Sequence, residues 1–446
     1  MVGVPVRLLP LLLLRSAAAS TVLLENPYQL GNRSSGHFWF PNSITTMPGS
    51  GVIVLRISVH ADATMSYNVA AMFTSTDSGR SFTEVTHDCG EAHLPGCALP
   101  GLAHPTVAWT LSIPQADGRG LLSIPYQPKF TDATQRRLSW NATLLDVSPG
   151  GAVTVKAATK AVRLLELPEA VNQTWHDSTD HTLPNCNLYS GSSVALTDHA
   201  RLALLTNVRW KSCASAANAS SYCWAVVAIA STDGGNAWQY RATVSEADDE
   251  AFLLKLGDGR LMAIMRHNFG LIQPGGCQHP TNGSSSRRLR SEAALSVACA
   301  FRQSFSTNNG HTWSPYTLMT SSDEVPPHSV MPKALHLRQG GYIMSGGRSG
   351  LYLWHCENTD CIDRGQWVTV NLAAHHDATL GKTDPLARMG KACSDEKLWG
   401  TRNCPSKGYL GLTELVDEPS GFLVCYDHYV SATTLRLLAT SLILLT

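Results

Sequence analysis

One short pattern occurs three times and limits the possible folds more than any other feature of the chain. Ser75-Thr76-Asp77-Ser78-Gly79-Arg80-Ser81-Phe82, Ser231-Thr232-Asp233-Gly234-Gly235-Asn236-Ala237-Trp238 and Ser306-Thr307-Asn308-Asn309-Gly310-His311-Thr312-Trp313 place Ser, Asp or Asn, Gly and an aromatic ring at the same offsets. Asp-Gly-Gly supplies a side-chain acceptor and positive-φ positions between β-rich flanks, so the pattern reads as a hairpin turn. The copies start 156 and then 75 residues apart. A unit of about 75 residues fits both gaps if one copy between the first two has decayed, and the chain then holds about six units. Residues 355–367, ending in Asp363-Arg364-Gly365-Gln366-Trp367, fit a further decayed copy.

The rest of the chain agrees with a repeated β unit. Residues 52–57, 68–74, 106–111, 121–126, 138–145, 153–157, 193–196 and 202–207 read as short strands between clusters of Gly, Pro, Asn and Asp, and no long amphipathic helix is expected. Many short strands in a repeated four-strand unit select an all-β propeller over a sandwich. The expectation is a six-bladed β-propeller of four-stranded antiparallel blades. A second hairpin turns at Gly257-Asp258-Gly259 and carries Glu250 and Arg266 at the far ends of its strands, where a hairpin brings them together as an ion pair or a site. A Gly-, Pro- and Ser-rich insertion, residues 267–292, leaves the Arg266 strand and is long enough to overhang that end.

Residues 1–20 have an apolar core followed by small residues and read as a cleaved secretory signal; the propeller is expected over 25–446. The apolar run is shorter than the roughly 20 residues that a membrane span needs. Five N-x-S/T sequons, at Asn32, Asn141, Asn172, Asn218 and Asn282, fit a secreted glycoprotein. Among 12 cysteines the close pairs Cys89/Cys97, Cys213/Cys223, Cys356/Cys361 and Cys393/Cys404 would each staple one loop, and their spacing matches no zinc pattern. No metal or cofactor is expected. Balanced charge, 34 basic against 34 acidic residues, argues against a nucleic-acid partner. The apolar C-terminal residues 434–446 read as a propeller strand rather than a lipid-anchor signal, because no polar spacer precedes them.

The repeated turn resembles the Asp box of the β-propellers best known from the sialidases. That resemblance implies an exo-glycosidase that releases terminal sialic or related nonulosonic acids, and it implies a site. Asp62 matches the acid/base Asp, Tyr409 the nucleophile and Glu250 the base that activates it. Arg266 and Arg348, the latter in Ser345-Gly346-Gly347-Arg348, match arginines that hold the substrate carboxylate. The family's first arginine lies in a Phe/Tyr-Arg-Ile-Pro motif, whereas this chain has Phe38-Trp39-Phe40-Pro41, so Trp39 stands in its place and Arg56 is the nearest replacement. The chemistry is coherent. A carboxylate on the anomeric carbon would repel an Asp or Glu nucleophile, and a tyrosine needs an adjacent base because its ordinary pKa is about 10. The implied partners are sialylated or other acidic glycans. The competing reading is an inactive propeller that binds such glycans without cleaving them.

Overall fold

The computed structural model describes residues 21–25, 27–34, 40–58, 70–86, 98–99, 110–125, 128–131, 136–168, 186–210, 223–246, 248–267, 301–321, 331–346, 351–383, 409–417, 421–431 and 434–445. Strands β1 (Thr21–Leu24) and β2 (Tyr28–Ser34) pair with the last strand of the chain. Between them and that strand the chain forms successive four-strand units, each antiparallel within itself. The first is β3 (Phe40–Thr46), β4 (Ile53–Ser58), β5 (Ala70–Ser75) and β6 (Thr83–Glu84). The second is β7 (Thr110–Pro114), β8 (Gly120–Pro125), a short β9 (Lys129–Phe130) that rests on the next strand, β10 (Leu138–Val147) and β11 (Val153–Leu164). The third is β12 (Asn187–Ala195), β13 (Arg201–Trp210), β14 (Cys223–Ser231) and β15 (Ala237–Ser245). The fourth is β16 (Asp248–Lys255), β17 (Leu261–His267), β18 (Arg302–Ser306) and β19 (Thr317–Leu318). An edge strand β20 (Thr320–Ser321) precedes the fifth, β21 (Lys333–His336), β22 (Tyr342–Gly346), β23 (Tyr352–Cys356) and β24 (Gln366–Asn371). The sixth is β25 (Gly411–Glu414), β26 (Gly421–Ser431) and β27 (Thr434–Leu445), completed by β1 and β2.

The core lies between units. Val54 and Met72 of the first pack on Leu121 and Leu145 of the second, and Leu204 and Val226 of the third pack on Leu253 and Met265 of the fourth. The same arrangement joins the sixth to the first, where Leu423 and Cys425 meet Leu55 and Phe73. Leading strands touch in order, β3 on β7, β7 on β12, β12 on β16, β16 on β21, β21 on β25, and β25 on β3. A strand buried on both faces reads as an unbroken apolar run, which explains why alternation is blurred in residues 52–57.

The three repeated turns are built alike, each joining the third and fourth strands of its unit. Ser Oγ donates to the Asp or Asn Oδ1 at 2.7, 2.7 and 3.0 Å, and the Gly N–H donates to that Ser Oγ at 2.9 Å in every copy. The same Oδ1 accepts the N–H four residues on, Ser81, Ala237 or Thr312, at 2.9 Å. The glycines have φ of +80°, +99° and +82°, a region that a side chain would strain. Trp238 is fully buried under its turn. The decayed copy falls at the β10–β11 turn, where Ser148 Oγ still accepts the Ala152 N–H.

Three features differ from the expectation. The outer strands β11 and β15 pair in parallel, fusing the second and third units into one sheet, and β20 pairs in parallel with β24. Residues 355–367 form no box turn: a helix, α1 (Thr359–Arg364), is capped by Asn358, ends at Gly365 with φ +64°, and is stapled by the Cys356–Cys361 disulfide. A longer helix, α2 (Leu372–Thr383), follows β24 and seats Leu372 and His376 inward. The C-terminal apolar run is β27, as expected of a strand. Each remaining candidate disulfide includes a cysteine outside the described residues, and Trp39, Asp62, Arg348 and residues 268–292 lie outside them too.

Candidate active site

Strand direction decides which rim of the units can carry a site. Leading strands start at one rim and second strands return to it, while third strands run away from it into the box turns. The boxes therefore sit at the rim opposite Glu250 and Arg266.

Three consecutive acids, Asp248, Asp249 and Glu250, open β16 and all are buried. Asp248 pairs with His267 and Asp249 with Arg266, but Ala251 already pairs with Met265, so Glu250 is the extra residue of a β-bulge. A bulge re-aims a side chain. Glu250 Oε2 accepts a hydrogen bond from Arg266 Nη1 at 3.0 Å and one from the Met331 N–H at 2.9 Å. Met331 donates from a left-handed backbone, φ +42°, which is costly for a residue with a Cβ and is typical of a functional segment.

Arg266 is the exposed member of the group, with 30% of its side chain accessible against 11% for Glu250. Burial works against its charge, but Glu250, Asp249 and the Tyr409 phenol together raise its pKa, so it stays a cation. Tyr409 itself is buried just ahead of β25 and close enough to Arg266 to be one of those causes. Asp249, whose carboxylate accepts the Glu250 N–H at 2.7 Å, is pushed up to about 7 by burial and by Glu250, against the pull of Arg266. Lys333 opens β21 and is buried. It donates to the Ser190 carbonyl and lies over the Phe252 ring, and burial lowers it to about 7 although Glu250 pulls it up. The Ser190 carbonyl is presented by an irregular stretch of β12 in which Gly191, φ +82°, lets Phe252 approach: a Cβ there would stand 2.0 Å from the ring. On the far side Asp248 pairs with Arg302 at 3.1 Å and accepts from Ser245 Oγ at 2.6 Å.

The structure thus brings Glu250, Arg266 and Tyr409 together, and adds Asp249 and Lys333, which sequence reasoning missed. Arg56 is 3% exposed on β4 and gives its Nη1 to Thr110 and Ser123 of the second unit. Among the described residues no three His, Cys, Asp or Glu side chains converge in a way that would hold a metal ion.

No family model and no curated protein matches the sequence. Solved structures do resemble the chain. A protein of unknown function from Dyadobacter fermentans aligns over 94% of this chain and 99% of its own, with a TM-score of 0.55 and 14% identity. An α-L-arabinanase from Penicillium chrysogenum, complexed with arabinobiose, aligns over 95% and 98%, with a TM-score of 0.51 and 11% identity. These two likenesses show the fold, a β-propeller. Trypanosoma rangeli sialidase also aligns, at a TM-score of 0.48 and 12% identity, the match covering 90% of this chain and 53% of that one.

In a propeller the rim at which leading strands begin can gather side chains from every blade, and Glu250, Met331 and Tyr409 come from three successive ones. The run of three acids ahead of an apolar strand was the available signal for Asp249. Lys333, a single basic residue before an apolar pair, left none.

Proposed function

We propose that the six units close into a six-bladed propeller and that the protein is a retaining exo-glycosidase releasing terminal sialic or related nonulosonic acid from glycoconjugates. The observation that supports this most is the Arg266 guanidinium, partly open to solvent, fixed by Glu250 and flanked by Tyr409 at one rim. A substrate carboxylate would dock on Arg266, with Arg348 as its second arginine by resemblance. Tyr409 Oη then attacks the anomeric carbon and passes its proton to Glu250. Among the described residues both hydrogen bonds to the Glu250 carboxylate fall on Oε2, so Oε1 is the oxygen that receives it. Asp62 protonates the departing glycosidic oxygen. In the second half, Asp62 deprotonates a water that attacks the same carbon, the C–O bond to Tyr409 breaks, and Glu250 returns the proton to the phenolate. Two displacements give retention. Secretion, glycosylation at the sequons and acidic glycans as partners belong to the same reading.

Trp39 favours a second reading, a propeller that holds an acidic glycan without cleaving it. Turnover of a fluorogenic sialoside separates the two. The wild-type protein is expected to release the fluorophore, and Glu250→Gln and Tyr409→Phe each to lower kcat by about 100-fold or more. Sialoside binding with no turnover gives the site to the binding reading. Turnover of an α-L-arabinoside in place of a sialoside moves it to the chemistry named for the Penicillium enzyme.

A further inference from the structure

Lys333 opens β21 in the fifth unit and is buried, but its side chain does not stay within that unit. Nζ stands 5.9 Å from the centre of the Phe252 ring on β16 and donates to the Ser190 carbonyl of β12. One side chain thus ties together the leading strands of the third, fourth and fifth units. Two residues earlier the Met331 N–H holds Glu250 Oε2 at 2.9 Å. The same short segment therefore meets β16 twice, at Glu250 and at Phe252.

Two opposed influences act on that amine. Burial favours its neutral form and Glu250 favours the ammonium, and between them Lys333 is lowered to about 7. Either form can donate to Ser190, so a change of protonation leaves the anchor in place. The charged and titratable groups around it come from each strand of the site: Asp248, Asp249 and Glu250 on β16, Arg266 on β17, Arg302 on β18, and the Tyr409 phenol ahead of β25. Asp248 is engaged by Arg302 at 3.1 Å and by Ser245, and Glu250 by Arg266 at 3.0 Å. Arg266, with 30% of its side chain accessible, is where a further negative charge can enter. Inside a protein a negative charge about 10 Å from an amine still strengthens its hold on a proton by about tenfold. A group poised between its two forms responds to such an arrival, whereas one far from its midpoint does not.

We propose that an acidic sugar enters this site together with a proton, that Lys333 Nζ takes the proton from solvent, and that this uptake sets acidic sugars apart from neutral ones. Such uptake rests on the reading above, in which a substrate carboxylate docks on Arg266. The amine becomes an ammonium and no bond of the sugar changes, so the step belongs to binding and is read without turnover. Sugar and proton then strengthen each other's binding by the same factor. Calorimetric titration with N-acetylneuraminic acid at pH 7.5, in buffers of different ionisation enthalpy, counts the protons. The wild type is expected to take up about half a proton per sugar, and its affinity to weaken by about tenfold from pH 6 to pH 9. Lys333→Met should bind the sugar without uptake. Lys333→Arg, a permanent cation, should keep a level affinity over the same range. Asp249, also pushed up to about 7, is the rival receiver. Asp249→Asn should therefore keep the uptake, and it decides the matter if Lys333→Met does not fold. Uptake that survives in Lys333→Met, uptake that vanishes in Asp249→Asn, or wild-type binding with no net proton would overturn the proposal and leave the docking on Arg266 standing. A sugar that binds at no pH would overturn both.

Discussion

Asp249 and Lys333 flank Glu250 with opposite responses to burial. Asp249 is raised to about 7, so the folded state holds its proton over a range in which the unfolded chain has lost it. Its contribution to stability is therefore complete below about pH 4 and is lost as pH rises toward 7. Lys333 is lowered to about 7 from 10.5, so its contribution is present above 10.5 and is lost as pH falls toward 7. Asp249→Asn should gain Tm relative to wild type on going from pH 4 to 8, and Lys333→Met should gain it on going from pH 10 to 6. Differential scanning over that range reads both. At Trp39 the resemblance leaves out one charge-assisted contact to a carboxylate, worth about 1.5–3 kcal/mol, and Arg56 is turned into the seam between units. Trp39→Arg should accordingly raise sialoside kcat/KM by about tenfold or more, with Arg56→Ala showing no matching loss. Glu250 and Arg266 were legible because hairpin arithmetic brings strand ends together whatever the side chains are. Asp249 and Lys333 were not, since no periodicity reveals that a charge will be buried.

At the scale of the element, the box turn separates stability from chemistry. Ser231→Ala removes the acceptor of the Gly235 N–H and a donor to Asp233, leaving a buried N–H unpaired, and should cost about 1–3 kcal/mol. Its turn lies at the rim opposite Glu250, so kcat in the folded variant should match wild type, as chemical denaturation and steady-state rates would show. The strands were legible for the same reason the turns were: β-rich runs between turn residues at a regular spacing. Residues 138–145 and 202–207 became β10 and β13 with longer ends. Helix α2 was not legible. Its inward positions Leu372, His376 and Leu380 do follow a four-residue step, but a histidine in the middle hides the apolar face, and Asn371, whose side chain accepts the Ala374 N–H, reads equally well as a turn residue. The parallel pairing of β11 with β15 also escaped, because it joins edges of separate repeats and leaves no mark on either.

For the whole molecule, the chain's two described ends share one sheet. Repeat spacing gave about six units but not how the first strands and the last are joined, and the answer is that β1 and β2 pair with β27 in the sheet that holds β25. That fastening has a mechanical consequence. Thr21 stands opposite Leu445, and the pairing continues as Leu24 with Leu442 and Tyr28 with Ala439. A load applied to the two ends therefore falls on one rung of hydrogen bonds at a time, as when a zipper is opened, and never on all the rungs together. In an optical trap the first event should come at low force and release a length matching residues 21–34, followed by larger steps as units peel away from the open ends. The pairing that joins the two described ends is thus also the place where tension undoes the molecule first, and a pull attached at any interior pair of residues should meet a stiffer molecule.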